Sequence, residues 1–128
     1  MKFANTAVAV AITWFTQQDY VVSIPLSENQ SYDLVVEKDG ILKTVQIKSV
    51  TYKAAGKFEV GLRTTGRSPI EHRDFDHSAV DWLFVLTADM TIYFIPTSEF
   101  SNTNSLTLGD KYARFKYVLP IKFQVPMI

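Results

Sequence analysis

Apolar residues at positions 4, 8, 11, 12 and 15 follow the spacing of one helical stripe: Ala4, Val8, Ala11, Ile12 and Phe15. This spacing predicts a helix over residues 4–18, with Asn5 as its N-cap and Asp19 with Tyr20 at its exit. The period then shortens. Residues 20–24 read as a short strand ended by Pro25, and a polar loop runs from Ser27 to Ser31. Residues 32–38 and 41–50 are rich in β-branched side chains and flank Asp39-Gly40, the pair a type I′ hairpin turn prefers. A strand over 57–63 follows a turn at Ala55-Gly56, and the polar stretch 64–77 is expected to hold a short helix. Residues 82–86 and 91–95 read as two strands joined by Ala88-Asp89-Met90. Beyond Pro96 the pattern is irregular, with a loop at 101–105. The order predicts one α+β domain over residues 1–128: a mixed β-sheet flanked by an N-terminal helix and a short second helix. Residues 97–128 are expected to form a peripheral C-terminal extension, whose apolar end from Tyr117 finishes a strand or packs on a second subunit.

Composition narrows the classes. Of 128 residues, 47% are hydrophobic and 20% charged, which excludes a disordered chain. Thirteen basic residues balance thirteen acidic ones, so the chain is neither a uniformly basic nucleic-acid binder nor suited to anionic membranes. The absence of cysteine excludes a disulfide scaffold, thiol catalysis and thiolate zinc sites. The first fifteen residues imitate a secretory leader poorly, because Asn5, Thr6 and Thr13 break the apolar run. No apolar stretch reaches the roughly 18 residues of a membrane-spanning helix, so an intracellular, cytoplasmic protein is expected. Charge is unevenly spread: residues 43–73 hold seven basic residues against two acidic ones, +5, and the remainder is −5. Lys53, Lys57, Arg63, Arg67 and Arg73 are thus candidates for contacts with phosphates, or simply solvate strands and loops.

Hairpin register gives the sharpest local inference. With Asp39-Gly40 as a two-residue loop, facing residue numbers sum to 79, which sets Asp33 opposite Gln46 with Lys48 diagonal on the same face. Leu34, Val36, Val45 and Ile47 fall on the other face, toward the core. A carboxylate, an amide and an ammonium therefore converge at one strand end. Asp33 followed after a hairpin by Gln46-Ile47-Lys48 resembles the PD-(D/E)XK nuclease superfamily, and within it the small group I intron-encoded homing endonucleases, where Gln can take the D/E position. Ser23-Ile24-Pro25, Tyr32 to Val36, Val45 to Ser49 and Tyr93 to Pro96 fit that branch over roughly the first 96 residues, with a weaker echo in Ser105 to Leu108.

The resemblance implies a restriction-endonuclease-like core and a Mg²⁺-dependent endodeoxyribonuclease of homing type, with Mn²⁺ as an alternative ion. Asp33 and Gln46 offer oxygens to a hard cation, the backbone carbonyl of Ile47 is the customary third ligand, and Lys48 orients or helps deprotonate the water. The partner implied is double-stranded DNA, and a chain this small fits a homodimer or tetramer when both strands are cut. Two positions depart from the family pattern. Val8 stands near the place of a helix Glu, and Tyr32 stands where Pro often precedes the Asp. The missing Glu leaves one carboxylate, with Glu28 and Glu59 as conceivable substitutes. The alternative is a catalytically degenerate nuclease-fold module acting in DNA binding or assembly, or a protein-interaction domain. Two further features have plain readings. Asp74, Asp76 and His77, with His72, read as metal ligands or as caps and turn formers. Asp81 reads as orienting a strand.

Overall fold

The computed structural model describes residues 2–65 and 72–118. The one α-helix among the described residues, α1 (Phe3–Gln17), is followed by β1 (Val21–Ser23), β2 (Leu34–Lys38) and β3 (Ile41–Val50). Next come β4 (Lys53–Ala54), β5 (Lys57–Gly61), β6 (Thr64–Thr65) and β7 (His72–Arg73). The chain continues through β8 (Trp82–Thr87), β9 (Thr91–Pro96), β10 (Ser105–Leu108) and β11 (Lys116–Val118). A six-stranded sheet has the order β1-β2-β3-β8-β9-β11, and a three-stranded sheet the order β10-β5-β4. In the larger sheet β3 and β8 run parallel while every other neighbour is antiparallel.

Each face of the large sheet is covered. On one, Ala7, Ala11 and Phe15 of α1 pack on Leu34, Val36, Val45, Ile47, Phe84, Leu86 and Ile92. Edge-on aromatic contacts among Trp14, Phe15, Trp82 and Phe94 finish that layer. On the other face Val50, Leu83, Val85, Tyr93 and Ile95 meet Val60, Leu62, Leu106 and Leu108 of the smaller sheet. β8 is therefore buried on both sides and reads as an unbroken apolar run, Leu-Phe-Val-Leu, as a doubly covered strand must.

Several expectations change. The helix begins at Phe3, and Lys2 rather than Asn5 stands at its N-cap, without a side-chain cap bond. Its buried stripe is Ala7, Ala11 and Phe15, while Ala4 and Val8 face outward. The aromatic Phe15 fixes this rotation, because it must reach the wall formed by Trp82, Phe84 and Phe94. Of the stretch 64–77, where a short helix was expected, the described residues pair as a two-stranded ribbon, Thr64↔Arg73 and Thr65↔His72, while residues 66–71 lie outside the described residues. The chain after Pro96 is not irregular. β10 pairs with β5 and β11 with β9, linked by 3-10 turns at Thr97–Glu99 and Asp110–Phe115. Phe100, Leu106, Leu108 and Tyr112 belong to the core, so residues 97–118 are built into it rather than peripheral to it. Among the described residues no helix is long and apolar enough to cross a membrane. Arg67 and the apolar end 119–128 lie outside the described residues.

Candidate active site

The β2–β3 turn fixes the site. Asp39 and Gly40 adopt φ of 53° and 78°, the left-handed pair a type I′ turn needs. The register is Lys38↔Ile41 through Leu34↔Val45, the sum of 79 the turn dictates. Regular pairing stops there. The Asp33 N–H donates to the Val45 carbonyl at 2.8 Å, so its side chain reaches past the end of β2 rather than squarely across the ladder. Oδ2 of Asp33 accepts the Ile47 N–H at 2.7 Å and the Gln46 Nε2 at 2.9 Å. The carboxylate thus satisfies a β3 backbone donor that β2 leaves open.

Gln46 is buried, and its Nε2 also lies 3.5 Å from the Ile47 carbonyl. Lys48 extends on the same face and donates from Nζ to the Arg63 carbonyl at 3.2 Å, just beyond β5. That face is therefore not a solvated sheet surface. The smaller sheet covers it and confines the ammonium. Burial lowers the Lys48 pKa from its ordinary value, and the Asp33 carboxylate partly opposes the shift. Burial raises the Asp33 pKa above its ordinary value, against the pull of the Ile47 N–H and the Lys48 charge. Both charges are thus desolvated and face each other, an arrangement more frequent at functional sites than elsewhere.

A cavity of about 250 Å³ opens beside Asp33 and is shared with Glu28, Ser27 and Tyr32. Val8 is 37% exposed on α1, which packs against the sheet face opposite Gln46 and Lys48. It brings no oxygen to the site. Glu59 alternates with core-facing Phe58 and Val60 along β5 and so lies on the outward side of the smaller sheet. Among the described residues no group of three acidic or His side chains stands together as a metal centre. Asp33, the Ile47 carbonyl and, with its amide turned, the Gln46 side-chain oxygen could offer an all-oxygen donor set with one carboxylate. That set suits Mg²⁺, which is commonly held by one or two carboxylates together with water and substrate phosphate.

The other candidates take structural places. Asp74 pairs with Arg63 at 3.0 Å, and Asp76 accepts the Ser78 N–H at 2.9 Å. His77 lies between the carbonyls of Thr97 and Asn102, at 3.1 and 2.7 Å. Asp81 accepts the Thr44 N–H at 2.9 Å and so orients the β8 entry against β3. Arg63 stands next to Lys48 through its carbonyl, and Arg73 is exposed on β7. Lys53 and Lys57 lie elsewhere, at the far end of β5, where they line a second cavity with Lys116. Lys116 had no signal in the sequence, because its strand follows a stretch without periodicity.

Comparison with known proteins agrees with this geometry. No curated protein matches the chain. The solved structure of a bacterial homing endonuclease superposes with a TM-score of 0.69 at 27% identity, over 87% of this chain and 78% of that one. The family profile of the PD-(D/E)XK endonucleases matches residues 2–116. With the match spanning nearly the whole chain, this protein belongs to the PD-(D/E)XK endonuclease family.

Proposed function

We propose that this chain is a divalent-metal-dependent endonuclease that hydrolyses phosphodiester bonds of double-stranded DNA at Asp33, Gln46 and Lys48. One observation carries the reading. The Asp33 carboxylate is held by the Gln46 amide and the Ile47 N–H within electrostatic reach of a half-buried Lys48. Asp33, the Gln46 side-chain oxygen and the Ile47 carbonyl would hold Mg²⁺, or Mn²⁺ in its stead. When bound, such an ion supplies Lewis-acid neutralisation of the charge that builds on the phosphate.

The chain's own residues do the rest. Asp33 and Gln46 anchor the scissile end of the site. Gln46 offers its amide nitrogen to Asp33 in this arrangement, so acting as a ligand requires the amide to turn and present its oxygen. Lys48, held by the Arg63 carbonyl, keeps a compact charge where negative charge develops. Its pKa, lowered by burial, suits it to pass a proton to or from water at Nζ. Cutting both strands of a duplex needs two such sites, which favours a homo-oligomer, a dimer or tetramer.

Nicking of supercoiled plasmid is expected with Mg²⁺ or Mn²⁺ and is lost on chelation. Isothermal titration should show the same ions binding wild type and failing to bind Asp33→Asn. Nicking that persists in excess chelator would refute the metal-dependent reading. A second reading, a degenerate module that binds DNA without cutting it, is favoured by the single carboxylate of the donor set. Salt-dependent DNA binding without cleavage under either ion would select it.

A further inference from the structure

The second cavity, about 200 Å³, lies where the start of β5 meets the β8–β9 turn and β11. Lys53, Lys57 and Lys116 line it together with Thr87 and Thr91. Asp89 is its one acidic residue, so three ammonium groups against one carboxylate leave a formal charge of +2. That carboxylate is already engaged by its own turn. It accepts the hydroxyl of Thr87 and the Thr91 N–H, the latter at 3.3 Å. The ion pairs among the described residues are Arg63 with Asp74 and Arg114 with Glu99, so no described carboxylate stands at pairing distance from the three lysines, although Asp89 attracts Lys53 from farther off.

One of these lysines is held by an aromatic ring, and another has room made for it by a glycine. Lys53 Nζ rests 4.6 Å over the Phe58 ring. A Cβ at position 109 would come within 3.2 Å of Lys57 Nζ, so Gly109 leaves the room that ammonium occupies. At roughly 30 Å³ per water, the cavity has space for one phosphate and its hydration, and not for a base stack.

We propose that Lys53, Lys57 and Lys116 form a binding site for a single phosphate group, and that its occupant is a backbone phosphate of DNA flanking the bond to be cut. This deepens the nuclease reading and rests on it for the identity of the occupant. The site is separate from the hydrolytic residues. Lys57 opens β5, whose far end at Gly61 lies four residues on, roughly 13 Å at about 3.3 Å per residue, and the Arg63 carbonyl that holds Lys48 comes after that end. A phosphate held at the cavity is thus not the scissile one.

The test is the salt dependence of binding to a fluorescein-labelled duplex of random sequence, in chelator so that nothing is cut. Wild type is compared with the triple variant Lys53→Gln, Lys57→Gln and Lys116→Gln, whose thermal midpoint checks folding. Because the three lysines share one phosphate, the slope of log affinity against log salt should flatten by about 0.9 in the triple variant. An unchanged slope would overturn the site. Flattening by about 2.7 would overturn it as well, since that is the mark of three separate surface contacts. If inorganic phosphate binds wild type and the duplex does not, the occupant is a free phosphate compound and the DNA assignment fails. Nicking by wild type and its loss in Lys48→Ala test the nuclease reading independently of these outcomes.

Discussion

Asp33 carries a desolvation cost that its bonds to the Ile47 N–H and the Gln46 amide only partly offset. Its folded pKa lies above the ordinary 3.8, so the native protein binds this proton more tightly than the unfolded chain does. The stability linked to it is complete below 3.8 and is lost as pH rises through the folded value, above which the carboxylate is ionised while desolvated. Asn at this position keeps an oxygen for the Ile47 N–H and removes the charge. Asp33→Asn should therefore gain stability relative to wild type as pH rises from 3.8 toward neutrality, and lose that gain as pH falls back toward 3.8. Thermal midpoints of the two proteins across that range measure it, and a difference that does not grow toward neutral pH would contradict the account. Lys48 shifts in the opposite sense. Its lowered pKa adds stability as pH rises above the folded value, so protonated Lys48 is the strained state. Of the site, the triad Asp33, Gln46 and Lys48 was legible because one turn dipeptide fixes the register. The Arg63 carbonyl that holds Lys48 was not legible, since its position depends on a sheet formed by residues far apart in sequence.

At the scale of elements, local chemistry was readable wherever it was self-contained. The Asp39-Gly40 hairpin, the β8–β9 pair and the exit of α1 at Asp19, φ 66°, follow from turn residues alone. The helix stripe was rotated because Ala4 and Val8 are as apolar as the residues that do face the core, and periodicity cannot choose between neighbouring faces. β10 was missed, and β11 was anticipated only as a strand end at Tyr117, for a related reason. Each is short, and each is stabilised by a partner laid down much earlier, β5 and β9. The Ala55-Gly56 turn matches the hairpin turn in φ, at 52° and 78°, yet places alanine where the backbone is left-handed. That conformation costs roughly 1–2 kcal/mol for an L-residue, against about 0.5–1 kcal/mol of added chain entropy for glycine. A Cβ at Ala55 plays no part in either core cluster. Ala55→Gly should therefore stabilise the protein by about 0.5–1 kcal/mol, read from the denaturant midpoint at unchanged slope. A lowered midpoint would show that the turn is not strained.

At the scale of the molecule, the large sheet separates two tasks. One face buries α1 and its aromatic wall, and the other holds Gln46 and Lys48 under the smaller sheet. Fold class was legible because the order of elements and the β3–β8 crossover leave few topologies. The double covering of the sheet was not, because β-branched strands read alike whether they face water or a second layer.

Lys48 is proposed to act in the chemistry and not in holding the fold. The measurement that tests it most directly is the nicking rate of Lys48→Ala beside wild type with Mg²⁺, at matched DNA occupancy. Loss of a charge placed against the developing phosphate charge should slow cleavage by at least about 10²-fold, while duplex affinity and the thermal midpoint stay near wild type. Nicking at an undiminished rate by Lys48→Ala would contradict the claim and move the chemistry away from Asp33, Gln46 and Lys48.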